Sequence, residues 1–330
     1  MKLLVTGGLG FIGSNFIIHV LKNYNDFEII NLDAEIDGSN HDNLKDLEKS
    51  ERYRFVKGNI TNRKLLDEII PDVDCVINFA AESHVDRSIA DPNPFLISNF
   101  RGVFTILEAL KDKKKKFIQI STDEVFGTIK EGSATEVTRF NPSSPYAATK
   151  ASAELLINAY VVTYKIDAMI TRCTNNYGPR QFFEKLIPKT ISLSTNDKTI
   201  PIYGNGKSIR DWIYVDDHCK AIMLVLKNGK SGESYNISAV NEIDNLQVVS
   251  GILKILDKSE KLMKFVSSRP GEDTRYSLDS TKIHRELGWE PEISFDEGIK
   301  KTIEWYQTNK DWGADTSNEV FSETPWRNKD

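Results

Sequence analysis

Cysteine is scarce in this chain, and long apolar runs are missing from it. The three cysteines, Cys75, Cys173 and Cys219, are odd in number, far apart and form no CxxC pair. That argues against a disulfide framework or a zinc site, and no metal is expected. All three sit in apolar surroundings, where cysteine behaves as a small buried hydrophobe. No stretch approaches the roughly 20 apolar residues that span a bilayer. The opening run Met1–Thr6 meets glycines where a secretory leader would continue with a longer apolar region. An excess of positive charge is missing too: the formal charge is -5, which gives nucleic acid no electrostatic reason to bind. There is no internal repeat and no low-complexity segment. The expectation is a cytoplasmic protein with neither a membrane nor a nucleic-acid partner. Its 330 residues allow a large α/β unit with an appended lobe.

What is present is alternation. Residues 3–5, 28–32, 53–56, 75–79, 117–120 and 168–171 read as strands, and 11–21, 64–70, 95–110 and 147–164 as helices between them. That order predicts a Rossmann-type, doubly wound parallel sheet with helices on both faces. Beyond residue 175 proline and glycine break the pattern, at Gly178-Pro179, Pro201, Gly204 and Pro270-Gly271. The expected division is a sheet domain over 1–174, able to regain a strand near 212–215, and a smaller mixed α/β lobe over 175–330. The polar tail beyond Trp312 reads as partly disordered, with Trp326 able to pack on the body.

Gly7-Gly8-Leu9-Gly10-Phe11-Ile12-Gly13 follows the first strand and opens the first helix. The G-x-G-x-x-G spacing from Gly8 supplies a tight turn, close approach to a pyrophosphate, and close packing of helix on sheet. The helix N-terminus adds free N–H groups for the anion. Alone the pattern is weak, because glycine-rich turns of this kind also occur without a ligand. Asp33, at the end of the second strand, strengthens it: a carboxylate there accepts from the adenosine ribose and repels a 2′-phosphate. No arginine stands beside it, so NAD is expected over NADP.

Tyr146 and Lys150 lie four residues apart at the start of a predicted helix, on one face. A tyrosine titrating near about 10 is a poor base at neutral pH. A neighbouring ammonium and a cationic nicotinamide ring both favour its phenolate. The bland alternative is a surface helix pair, against which the glycine fingerprint and the strand end Ser121-Thr122 weigh. Together, Thr6–Gly13, Tyr146 and Lys150 resemble the extended short-chain dehydrogenase/reductase family. The segments 80–88, 121–127, 175–179, 184–188, 210–218, 269–271 and 287–289 are similar to its dTDP-glucose 4,6-dehydratase branch. The resemblance covers nearly the whole chain.

That resemblance implies dehydration of dTDP-glucose to dTDP-4-keto-6-deoxyglucose, with hydride passing internally through bound NAD. Tyr146 would take the C4-hydroxyl proton with Thr122 bonding the same oxygen, and Lys150 would hold the nicotinamide ribose. Glu124 would remove the C5 proton and Asp123 protonate the departing C6 hydroxyl. Epimerases of the family lack these adjacent carboxylates, since they expel no hydroxide; taken without the resemblance, the two are equally well exposed strand-end acids. Implied cofactor contacts are Gly7, Gly10, Phe11, Ile12, Gly13, Asp33, Asn59, Ile60, Phe79, Ala80, Ala81, Ser98, Tyr146, Lys150 and Asn176. Implied substrate contacts are Ser83, Thr122, Asn175, Lys185, Leu186, Pro201, Ile202, Tyr203, Arg210, Asn245, Arg269 and Asp273, with the two arginines as bidentate diphosphate partners. A homodimer through helices 95–110 and 147–164 is implied as well. His84 reads as a hydrogen-bonded structural histidine. The chain departs from the family at Asn59 (usually Asp), at Glu272 (usually His) and over the loop 34–40. A UDP-glucose 4,6-dehydratase, a UDP-sugar epimerase or decarboxylase, and a silent NAD-binding sensor stay open as alternatives.

Overall fold

Apolar runs bounded by turn residues become parallel strands. The computed structural model describes residues 1–313 and 316–326. β1 (Lys2–Thr6), β2 (Glu28–Asp33), β3 (Tyr53–Lys57), β4 (Cys75–Asn78), β5 (Lys116–Thr122) and β6 (Asp167–Cys173) lie in the order β6-β5-β4-β1-β2-β3. Every pairing is parallel. Parallel sheets carry helices on both faces, so alternate side chains must both be apolar. Leu3 and Val5 pack with Phe16, Ile17 and Val20 of the helix Phe11–Asn23, whereas Leu4 packs with Leu66, Val103, Ile106 and Ile157 on the opposite side. The expected doubly wound sheet is therefore present, with strand and helix limits within two residues of those read from the sequence.

The remaining strands are β7 (Asn175–Tyr177), β8 (Ile200–Tyr203), β9 (Ile209–Tyr214), β10 (Ser234–Ile237), β11 (Glu242–Asp244) and β12 (Met263–Val266). The chain does return to the main sheet, but by β10 against β6, instead of near 212–215. β9 lies between β7 and β11 in a separate three-stranded sheet. The reason is packing: Trp212 and Tyr214 are buried with Tyr177, Ile187, Ile252 and Ile303 in a second core. An apolar window of that kind serves a lobe core as well as a central strand.

The expected helix 95–110 is broken into α-helix at Asn93–Phe95, π-helix at Leu96–Gly102 and α-helix at Val103–Leu110. π turns are uncommon and concentrate at functional sites. Here Asn99 donates to the Glu82 carbonyl at 2.9 Å and to the Thr149 hydroxyl at 3.1 Å, so the π stretch ties the loop after β4 to the helix Pro145–Tyr164. Of the polar tail, 318–321 forms a 3-10 turn and Trp326 is buried, as the sequence allowed; 314–315 and 327–330 lie outside the described residues. All three cysteines are buried and free. Among the described residues, no helix is long and apolar enough to cross a membrane.

Candidate active site

An open cleft lies at the C-terminal ends of β1, β2, β4 and β5. The helix Phe11–Asn23 starts at its edge from Gly10, which caps it without any side chain. Its first N–H groups are therefore free for an anion. Two glycines make the turn possible. Gly7 has φ +72°, and a Cβ there would sit 2.6 Å from the Ala80 nitrogen; a Cβ on Gly13 would collide with the Gly7 carbonyl. Asp33 accepts from Leu9 N–H at 2.9 Å, Glu35 N–H at 2.8 Å and the Ser39 hydroxyl at 2.9 Å. A carboxylate has about four acceptor sites, so one is left for a ribose hydroxyl. The cradle fits a dinucleotide.

β5 ends at Thr122, whose hydroxyl caps a 3-10 turn, Asp123–Phe126, and donates to Asp123 Oδ1 at 3.1 Å. That turn places both carboxyls in the cleft. Across from it, Ser144 caps the helix Pro145–Tyr164, accepting from Ala147 N–H at 3.1 Å, with Pro145 at its first turn. Tyr146 and Lys150 then fall one turn apart, facing the cleft. Thr122 acts on the Tyr146 hydroxyl, easing its ionisation slightly against the larger effect of burial. Lys150 Nζ donates to the Ile120 carbonyl at 2.6 Å.

Burial sets the chemistry of these groups. Asp123 is held well above the usual carboxylate range, first by desolvation and then by Glu124; its Oδ2 has no partner. Glu124 is raised by desolvation too, but Arg269, Lys185 and Arg210 pull it down. The pair is thereby split: Asp123 keeps its proton while Glu124 sheds one more readily. Desolvation and the negative charge of Glu124 push Tyr146 well above 10. Lys150 is lowered to about 8 by burial, against the pull of Glu154. Tyr146 therefore remains a phenol; a cation in the cleft beside it would favour the phenolate.

Glu154, one turn beyond Lys150, has no solvent contact. Arg172 of β6 donates to it from Nη2 at 2.7 Å and from Nε at 2.9 Å, and Ser121 of β5 donates its hydroxyl at 2.5 Å. The guanidinium lies beside the Phe126 and Phe140 rings, 5.2 and 5.3 Å from their centres, where the two rings pack on each other at 5.7 Å. This pair locks the catalytic helix to the two strands beneath it.

Residues 4–302 match the profile of the GDP-mannose 4,6 dehydratase family. The chain belongs to that family. The low-salt glycan biosynthesis protein Agl12 of Haloferax volcanii is 46% identical over 307 residues, spanning 93% of this chain and 98% of the relative. The dTDP-glucose 4,6-dehydratase of Xanthomonas campestris is 42% identical over 331 residues, spanning 94% of each. A crystal structure of DesIV, a dTDP-glucose 4,6-dehydratase from Streptomyces venezuelae with NAD and TYD bound, superposes with a TM-score of 0.93 at 43% identity, over 94% of this chain and 98% of that one.

Within this dehydratase-family fold, every residue expected to touch the cofactor lines the cleft, as do Ser83, Thr122, Asn175 and Lys185 from the substrate set. Several are engaged otherwise than anticipated. The Asn59 carbonyl accepts from Thr61 N–H and hydroxyl, at 2.9 and 2.8 Å, so it offers the cleft its NH₂ in place of an acceptor. The Asn176 amide is spent on the Thr174 carbonyl and on His218. Ile202 packs with Leu193, Ile200, Val249 and Leu253, leaving only its main chain for a ligand. Asp273 already accepts from the Thr128, Ser143 and Tyr276 hydroxyls. Arg210 donates to the Ile209 and Asp273 carbonyls and lies 4.2 Å over the Tyr276 ring. Glu272 is held by the Ser208 hydroxyl at 3.0 Å. His84 is driven well below 6.5 by burial and is neutral, between Glu184 at 3.6 Å and Asp86 at 3.8 Å. Among the described residues no His, Cys, Asp and Glu group could hold a metal. The sequence reading missed Asp37, Gln181 and Glu184, which also line the cleft. Only the polarity of loop 34–40 pointed to the first.

Removing Glu154 strands a buried guanidinium. Glu154→Ala is expected to cost about 3–5 kcal/mol in a denaturant melt, and adding Arg172→Met to restore most of it. A single variant within 1 kcal/mol of the parent (about a fivefold change in the unfolding constant) would show that the pair locks nothing.

Proposed function

We propose that this chain is an NAD-dependent hydro-lyase that converts dTDP-glucose to dTDP-4-keto-6-deoxyglucose. The carrying observation is the unequal acid pair: Asp123 holding its proton beside Glu124, which three cations ease toward ionisation, both facing the cleft with Tyr146. Two relatives named dTDP-glucose 4,6-dehydratase, matched over nearly the full chain, support the substrate.

NAD, when bound, supplies a cationic ring and a hydride site, so that hydrogen taken from C4 can be returned at C6. Tyr146 accepts the C4-hydroxyl proton while Thr122 holds that oxygen, and Lys150 secures the nicotinamide ribose. Once C4 is a carbonyl, the C5 proton is acidic enough for Glu124 to remove. Asp123 gives its proton to the C6 hydroxyl, which leaves as water. Glu124 then returns a proton to C5. Arg269 and Lys185 face the diphosphate, with Tyr203 at the nucleoside. Free, buried thiols support a cytoplasmic setting.

A homodimer fits the exposed apolar faces of the two helices beside the site: Leu96 is 52% exposed, Phe104 43%, Leu155 61% and Val162 70%. Such a patch marks an interface. Leu155→Glu with Val162→Glu is expected to give monomers by sedimentation; a parent protein already at 37.4 kDa would refute the dimer.

Incubated in D₂O with dTDP-glucose and no added NAD, the enzyme is expected to yield 4-keto-6-deoxy product carrying deuterium at C5, with no build-up of NADH. Unlabelled product would remove the role given to Glu124, and turnover of UDP-glucose alone would overturn the substrate.

Glu124 acts ionised, and Arg269 is the strongest charge pulling its titration down. Arg269→Gln should therefore raise that titration, moving the acid limb of kcat/KM to higher pH. An unmoved limb would mean that another group titrates there.

A further inference from the structure

One charge effect and two hydrogen bonds lead outward from the acid pair. Arg269 is the cation acting most strongly on Glu124. The same guanidinium donates to Asp86 Oδ1 at 3.0 Å, and Asp86 Oδ2 accepts from the Tyr203 hydroxyl at 2.9 Å. If the sugar lies at Glu124 and the diphosphate at Arg269, Tyr203 stands at the nucleoside; this step rests on the substrate reading above.

A tyrosine pinned only at its hydroxyl can still rotate about its long axis. Tyr203 is stopped from doing so by Trp326, whose ring meets it edge-on at 4.8 Å and 86° and is 7% exposed. Trp326 comes from the segment 316–326, which straps the two-stranded β8–β12 sheet. Phe321 in this strap packs on Leu193, Ile200, Ile202, Val249 and Leu253. Glu323 accepts from Lys264 Nζ at 2.7 and 2.9 Å, and Lys264 is paired across the strands with Pro201. The ion pair is half exposed and adds little by itself, so the two aromatic residues carry the strap.

We propose that segment 316–326 completes the nucleoside end of the substrate site, with Trp326 as the positioning residue that fixes the plane of Tyr203. It acts on binding of the nucleotide and leaves the chemistry at C4, C5 and C6 untouched.

The test uses the full chain with its cofactor. Trp326→Ala is expected to raise both KM for dTDP-glucose and the Kd of dTDP, measured by calorimetry, about fivefold. Its kcat should stay within about twofold, and Trp326→Phe should restore binding, since an aromatic edge is what Tyr203 requires. A Kd for dTDP unchanged in Trp326→Ala, or a loss confined to kcat, overturns the proposal. Should Trp326→Ala not fold, the parent protein decides: dTDP should slow cleavage at Glu319 and Glu323 by a Glu-specific protease, and an unaltered rate counts against it. A parent protein that neither turns over dTDP-glucose nor binds dTDP fails at the substrate reading beneath, a result distinct from an active parent with an indifferent Trp326→Ala.

Discussion

One carboxylate without solvent contact holds the active site together. Glu154 lies on the catalytic helix, is bonded by Arg172 from β6 and by Ser121 from β5, and so fixes three elements at one point. Ser121 immediately precedes Thr122 and Asp123, and Glu154 follows Lys150 by one turn. The register between the acid pair and the Tyr146–Lys150 pair is therefore set from behind the site. Two desolvated charges are costly, and a hydrophobic pair would often be as stable. What the ion pair adds here is direction: the guanidinium fork and the carboxylate accept only one relative orientation of helix and strands. The same negative charge opposes the loss of the Lys150 proton in a buried place.

Dryness then does the chemical sorting. Desolvation raises both Asp123 and Glu124, and a cleft with no further charges would leave two acids and no base. Arg269 and Lys185 break the symmetry because they pull on Glu124, whereas Arg210 pulls on both carboxyls. If the diphosphate binds at Arg269 and Lys185 as proposed, the charges suited to the substrate also tune the base. Arg210 does this from inside the protein, with its N–H groups spent on carbonyls and its face on Tyr276.

The sheet was legible because parallel strands buried on both faces leave unbroken apolar runs, and the Tyr146–Lys150 pair because four residues make one helical turn. The cofactor cradle was legible because only glycine tolerates the contact between Gly7 and Ala80. What stayed hidden depends on partners distant in sequence. The π stretch needs Asn99 to reach Glu82 and Thr149. The role expected of Asp273 ignored the Thr128 and Ser143 hydroxyls, which only the fold brings to it. The window at 212–215 entered the lobe and not the main sheet because an apolar window does not say which core it enters. Ile202 and Tyr203 are neighbours in sequence, yet strand alternation sends one into the core and leaves the other for the site.

The loop after Asp33 is one of the segments that depart from the resemblance, and its fold gives that departure a physical content. Asp33 orders the loop by accepting from Glu35 N–H and the Ser39 hydroxyl. Asp37 then accepts from Arg87 at 2.7 Å, and the same guanidinium lies 3.5 Å from Glu82 and 3.5 Å from Glu184. Asp37 and Glu184 line opposite parts of one cleft, and the arginine between them joins the cofactor loop to the chain beyond β7. Asp37 is 79% exposed, so its arm of the contact is weak and open to salt, whereas Glu184 at 9% is screened far less. A cofactor regenerated in each turnover has no need to leave. A tie with one screened arm and one weak, exposed arm holds the cleft together without sealing it.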